Sequence, residues 1–156
     1  MTAPVAEGAK APDFDLPTDG GGQIKLSGLR GKVIVLYFYP KDDTSGCTRE
    51  AIDFTALTGE FEKAGAIVLG VSPDPVTKHD KFKAKHDLSV TLVSDEDKSM
   101  LEAYGVWTEK SMYGRKYMGV ERSTFVIDGD GVVRNVWRKV KVPGHAEDVL
   151  KAVQAL

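Results

Sequence analysis

The chain has 156 residues, 42% of them hydrophobic and 28% charged, a mixture that supports a buried core and excludes disorder as the main state. Lys plus Arg number 21 against 23 Asp plus Glu, a formal charge of −2, which excludes the basic excess that a nucleic-acid binder needs for phosphate contacts. A single cysteine, Cys47, and scattered histidines exclude an internal disulfide and a thiolate zinc cluster.

Residues 1–12 contain Pro4, Gly8 and Pro12, which block regular structure, so a mobile start is expected ahead of one domain spanning 1–156. Phe14 and Leu16 alternate with Asp13 and Asp15 as in a half-buried strand. Pro17 to Gly22 is a turn, and Gln23 to Leu26 is the return strand of a small hairpin. A short turn from Ser27 to Gly31 follows. Val33 to Tyr39 is apolar at every position, the mark of a strand covered on both faces, and Pro40 stops it. Ala51, Phe54, Leu57 and Phe61 then form one apolar stripe on a helix over 46–63, closed by Gly65.

Ile67 to Val71 is a second buried strand, and Asp74 to His86 a charged amphipathic helix with Val76, Phe82 and Leu88 inward. Val90 to Val93 is a short strand, and Ser99 to Tyr104 a short helix. Arg122–Ile127 and Val132–Trp137 flank Asp128-Gly129-Asp130-Gly131, a sequence suited to a tight hairpin. Asp148 to Leu156 closes the chain as a helix with Val149, Leu150 and Val153 inward. This order predicts an α/β fold with a mixed central sheet flanked by helices and an N-terminal β-hairpin. A thioredoxin-like fold has that order; a flavodoxin-like sheet shares its first half.

The first eleven residues lack a basic n-region and an apolar h-region, and the longest apolar run, Val33–Tyr39, is too short to span a bilayer. A soluble cytoplasmic protein without membrane or nucleic-acid partners is expected.

The stretch Tyr39 to Glu50 joins the carboxyl end of the most buried strand to the start of a helix, the edge where open α/β sheets bind ligands. Cys47 falls in the first helical turn, where unpaired N–H groups and the helix dipole favour a thiolate. A lone cysteine is also an ordinary small hydrophobe. Against that, Cys47 follows the polar loop Asp42 to Ser45 and is one position out of step with the stripe that starts at Ala51. Position alone leaves both readings open.

The residues around it decide between them. Pro40-x-x-x-Thr44-x-x-Cys47 resembles the active-site motif of peroxiredoxins, and Asp-Asp-Thr-Ser-Gly-Cys-Thr-Arg-Glu resembles its Q type, the bacterioferritin-comigratory group. The likeness continues through Ala11-Pro12-Asp13-Phe14, Gly70-Val71-Ser72-Pro73-Asp74, Tyr104-Gly105-Val106-Trp107 and Arg122 to Asp128, nearly the whole chain. It implies a thioredoxin-fold antioxidant peroxidase for hydrogen peroxide and organic hydroperoxides, with no cofactor and no metal.

By that resemblance, Cys47 attacks the peroxide and becomes a sulfenic acid. Arg122 stabilises both thiolate and leaving oxygen, where a strand-edge arginine would otherwise be a solvated charge. Thr44 accepts from the peroxide O–H and donates toward the sulfur; its plain role is helix N-cap. Pro40 walls the pocket, or merely ends the strand. The Gly46 and Cys47 N–H groups complete the donors, and Gly46 lets substrate approach without a Cβ. Glu50 holds Arg122, or is an exposed first-turn acid. Asp42 and Asp43 oppose a nearby thiolate, so they must point to solvent or be offset by Lys41, Arg49 and Arg122.

Departures from the family pattern bear on turnover. Where many Q-type members place a second, resolving cysteine, five residues on, this chain has Ile52, and the helix Asp74–His86 carries no sulfur either. The partner implied is an external thiol reductant: thioredoxin, glutaredoxin with glutathione, or glutathione itself. A monomer, at most weakly dimeric, is expected. The alternative is a thioredoxin-like redox sensor or thiol-adduct binding protein without turnover. His79 and His86 read as surface histidines, and His145 as a cap or solvated residue before the last helix. Trp107, Tyr113, Tyr117 and Met118 form an aromatic-rich connection that the resemblance places near an interface or pocket rim, with ordinary loop packing as its plain reading. Gly20 to Gly22 and Gly129-x-Gly131 are turns without the context of a nucleotide loop.

Overall fold

The described residues, 5–156 of a computed structural model, begin with a tied segment. The Gly8 and Ala11 N–H groups donate to the Val133 and Gly131 carbonyls at 2.8 and 2.9 Å, and Lys10 bridges Val132. For residues 8–11 this corrects the mobile start expected over 1–12; residues 1–4 lie outside the described residues. Strand β1 (Asp15–Pro17) pairs antiparallel with β2 (Gln23–Lys25), the expected N-terminal hairpin.

Strand β3 (Val33–Phe38) leads into α1 (Ser45–Ala56) and α2 (Thr58–Lys63), and β4 (Ala66–Ser72) into α3 (Val76–His86). The helix expected over 46–63 is thus two. It breaks at Leu57, with φ −103° and ψ 4°, where Thr58 and Gly59 follow as poor helix formers. Strand β5 (Thr91–Ser94) and the one-turn α4 (Ser99–Ala103) complete the parallel half.

The segment read as an aromatic-rich connection is a hairpin of β6 (Trp107–Met112) and β7 (Arg115–Val120). Its two turn residues, Tyr113 and Gly114, have φ of 51° and 77°, the left-handed pair that closes a two-residue loop. Strand β8 (Ser123–Ile127), strand β9 (Val133–Trp137) and α5 (His145–Gln154) end the fold, with α5 starting at His145 and not at Asp148.

The central sheet has the order β5–β4–β3–β8–β9. Side chains alternate across β3, which explains its unbroken apolar run. Val35, Tyr37 and Tyr39 pack with Ala51, Phe54, Phe82, Val149 and Val153 from α1, α3 and α5. Ile34, Leu36 and Phe38 pack on the other face with Phe14, Leu101, Tyr104 and Phe125. β3, β4 and β5 are parallel, whereas β8 runs antiparallel to β3 with Phe38 opposite Ser123. That register carries residue 122 to the carboxyl end of β3. The whole is the mixed, thioredoxin-like α/β arrangement expected from the element order.

Candidate active site

Beyond β3, the Tyr39 N–H still donates to the Val71 carbonyl at 3.0 Å; half-buried Pro40, with no N–H, ends the ladder. Asp43 turns the chain with φ 61°. Thr44 is extended and stands at the N-cap, its carbonyl accepting the first helical bond from the Thr48 N–H at 2.8 Å. The N–H groups of Ser45, Gly46 and Cys47 precede that bond and face outward from the helix start. The Thr44 hydroxyl donates to the Lys41 carbonyl at 2.9 Å and makes no side-chain cap. Its hydrogen is thereby committed away from the sulfur, which corrects the expected donation to Cys47. The oxygen lone pairs remain able to accept.

Cys47 is 1% exposed, backed by the Val35, Tyr37 and Phe54 layer. Its sulfur is not left among hydrocarbon alone: Arg122 Nη2 donates to Sγ at 3.2 Å. Nη1 of the same guanidinium donates to Glu50 Oε1 at 2.7 Å. Cys47 and Glu50, three apart, share one face of α1, so the planar fork lies across its first turn. Gly46 eases this, since a Cβ there would stand 3.3 Å from Nη2 and the guanidinium would have to give by a few tenths of an ångström. Its missing side chain makes room for the arginine, a refinement of the expected room for substrate.

The electrostatics follow from burial. Burial pushes the Glu50 carboxyl up, the Arg122 charge and hydrogen bond draw it back, and it settles at about 7. Burial works against the Arg122 cation, but Glu50 and Cys47 more than offset it and hold its affinity for the proton above the ordinary value. Lys110 of β6, half-buried, lies within the fields of Arg122 and Cys47; burial and then the like charge of Arg122 lower its ammonium. Glu50 Oε2 and the Tyr37 hydroxyl are buried without a hydrogen-bond partner among the described residues. Among the described residues, no group of three or more His, Cys, Asp or Glu could hold a metal ion, and no helix is long and apolar enough to cross a membrane.

A model of the AhpC/TSA family matches residues 8–136. The putative peroxiredoxin Bcp of Coxiella burnetii is 52% identical over 146 residues, 94% of this chain and 97% of the relative. Peroxiredoxin Bcp of Bacillus subtilis is 49% identical over 147 residues, 94% of each. The chain belongs to the AhpC/TSA family, as a peroxiredoxin of the Bcp group. Among solved structures, the bacterioferritin comigratory protein of Xanthomonas campestris superposes with a TM-score of 0.88 at 50% identity, covering 91% of this chain and 90% of that one. That relative was studied for its alkyl peroxide reduction activity. A peroxiredoxin of this group is a thiol peroxidase, so peroxide is the substrate.

In this peroxiredoxin the six residues singled out in the sequence fall into two sets. Cys47, Gly46, Glu50 and Arg122 are brought into one contact group, while Pro40 and Thr44 stand on the loop ahead of α1, with the Thr44 side chain bonded to Lys41 and not to the group. Missed altogether was a buried cluster on the other side of that loop. Asp42, expected at the surface or offset by cations, is buried, and its Oδ1 accepts from the Tyr39 hydroxyl at 2.6 Å. Its Oδ2 lies 2.7 Å from Nδ1 of His79, which is fully buried and not the surface residue expected. The signal was present: His79 falls midway between the inward Val76 and Phe82, on their face of α3. Asp43 does point to solvent, paired with Lys85 and His86 at 2.7 and 2.9 Å. His145 is also buried, its Nε2 2.7 Å from the Thr124 hydroxyl, with Phe54 and Trp137 edge-on; burial lowers it to about 4.

Proposed function

We propose that this peroxiredoxin reduces hydrogen peroxide and organic hydroperoxides through a Cys47 sulfenic acid, and that an external thiol restores it. The Cys47 thiolate attacks one peroxide oxygen: an S–O bond forms, the O–O bond breaks, and the departing oxygen leaves as an alcohol or water after taking one proton. What carries the reading is the 3.2 Å contact between Arg122 Nη2 and Cys47 Sγ. A fixed, half-buried cation stabilises the anionic sulfur and the negative charge growing on the leaving oxygen without reorganising. Thr44 serves as acceptor for the peroxide O–H, the Gly46 and Cys47 N–H groups as further donors, Pro40 as wall, and Glu50 as the brace of Arg122. The organic substrates are supported by the alkyl peroxide activity for which the Xanthomonas relative was studied.

With one cysteine in the chain, the second sulfur comes from outside. A donor thiol attacks the sulfenic sulfur and water leaves; a second thiol breaks the mixed disulfide, giving Cys47 back as thiol and the donor as disulfide. Thioredoxin, glutaredoxin with glutathione, and glutathione are the donors assigned. The working form is a monomer, at most a weak dimer, in the cytoplasm, where thiols are kept reduced.

Stoichiometric peroxide titration followed by intact mass tests this. One equivalent is expected to add one oxygen, removable by at least one of the three donors with continued peroxide consumption; Cys47→Ser is expected to abolish consumption and keep the fold. Oxidation by one equivalent with no cycling under any donor would establish the redox sensor instead.

A further inference from the structure

We propose that His79 is a positioning residue of this enzyme: through its buried bond to Asp42 it holds closed the turn that carries Thr44 and Cys47, and loss of that bond opens the turn. The proposal rests on the assignment of Cys47 as the reacting sulfur. Both ring nitrogens of His79 meet oxygen, Nδ1 at 2.7 Å from Asp42 Oδ2 and Nε2 at 3.0 Å from the Val93 carbonyl. A carbonyl only accepts, so Nε2 carries a hydrogen, and a proton is shared between Nδ1 and the carboxylate.

Asp42 is fixed on its other sides as well. Its Oδ1 accepts from Tyr39, and its N–H donates to Asp74 Oδ2 at 2.7 Å, an oxygen that also accepts from the Ser72 hydroxyl at 2.8 Å. The next residue, Asp43, is held by Lys85 and His86, so α3 grips two consecutive residues of the loop. Cys47, 1% exposed, cannot meet a thiol of another molecule unless the start of α1 moves. β3 is locked in the sheet, so the loop ahead of α1 is the part that can give. The strength of the Asp42–His79 bond therefore sets how often the sulfur becomes reachable.

This makes the turn sensitive to pH. The charged groups facing His79 are Asp42 and Asp74, from the segments after β3 and β4; Tyr39, just beyond β3, has its ring 6.5 Å away, and β5 contributes only the Val93 carbonyl. Burial opposes the imidazolium, but Asp42, the Val93 carbonyl and Asp74 outweigh it and raise His79 above 6.5. A raised histidine gives its full contribution below the unfolded value and loses it as pH climbs through the folded one. The turn is therefore held most firmly at or below pH 6.5 and loosens as His79 gives up its proton.

Amide hydrogen exchange on the reduced protein without peroxide tests this apart from any peroxidase activity. Between about pH 6 and about pH 9, protection of the Asp42, Thr48, Arg49 and Glu50 amides, corrected for intrinsic exchange, is expected to fall at least about tenfold, while Val35 and Leu36 stay protected. In His79→Gln the same four amides are expected to be weakly protected at every pH, with no step. Unchanged protection of these amides across the range in the wild type overturns the proposal without need of a variant. As a second readout, His79→Gln is expected to react more slowly with peroxide and to release its sulfenate faster to glutathione; equal rates for both steps also overturn it. If peroxide oxidises neither protein, the assignment of Cys47 falls, and the exchange experiment still decides the role of His79.

Discussion

Two clusters of charge flank the loop between β3 and α1, and they are finished differently. On one side, Asp42 has both carboxylate oxygens and its N–H engaged, and both nitrogens of His79 meet oxygen. On the other, Arg122 joins Cys47 to Glu50, but Glu50 Oε2 and the nearby Tyr37 hydroxyl have no partner among the described residues. A polar network with its groups paired fixes one geometry. In the other, burial raises the Glu50 carboxyl to about 7 against the pull of Arg122. The first cluster ties the loop to α3 and to the segment after β4; the second joins the start of α1 to the residue ahead of β8.

The largest expected effect breaks the paired side. Asp42→Ala leaves the Tyr39 hydroxyl and a buried His79 without their acceptor, and is expected to cost about 3–5 kcal/mol of stability by urea unfolding. A loss below about 1 kcal/mol would place Asp42 outside the framework.

The next sharpens the contrast through pH. Glu50, raised from 4.5 to about 7, contributes stability that is complete below 4.5 and is lost as pH rises to about 7. His145, lowered from 6.5 to about 4, contributes stability present above 6.5 and lost as pH falls toward 4. Each is on the order of 3 kcal/mol, with opposite sign, so together they flatten the wild-type profile. Glu50→Gln is expected to leave a protein whose stability rises between pH 4 and 6.5, and His145→Gln one whose stability falls between 4.5 and 7. Urea midpoints at the two ends of the range check both slopes.

Smaller in free energy are the changes at the reacting side. Arg122→Lys replaces a fork that reaches Cys47 and Glu50 at once by a point charge, and is expected to slow peroxide attack well over tenfold. An unchanged rate removes Arg122 from the chemistry. Gly46→Ala puts a methyl 3.3 Å from Nη2 and must displace the guanidinium by a few tenths of an ångström. A fall in rate of roughly threefold with little change in stability is expected, read by stopped-flow oxidation.

Much of this was legible from local pattern. The run Val33 to Tyr39, the stop at Pro40 and the stripe from Ala51 place Cys47 in the first turn of a helix after a buried strand, because side-chain period and proline chemistry act over a few residues. The hairpin of β6 and β7 was not read, although Tyr113-Gly114 stands at its turn. Met112, Tyr113, Tyr117 and Met118 are 44–99% exposed, so no buried face imposes an alternating pattern.

What the amino-acid order determined alone was that Cys47 sits in the first turn of a helix that follows a buried strand. Only the packed molecule decided what surrounds it. Arg122 and Cys47, 75 positions apart, meet because β8 runs antiparallel to β3, and a parallel strand would have carried the guanidinium to the opposite end of the sheet. The same packing gave two buried histidines opposite tendencies, His79 beside a carboxylate and His145 beside a hydroxyl and aromatic edges. Strand direction and the charge of a buried ring depend on distant neighbours, whose positions are set by long-range burial.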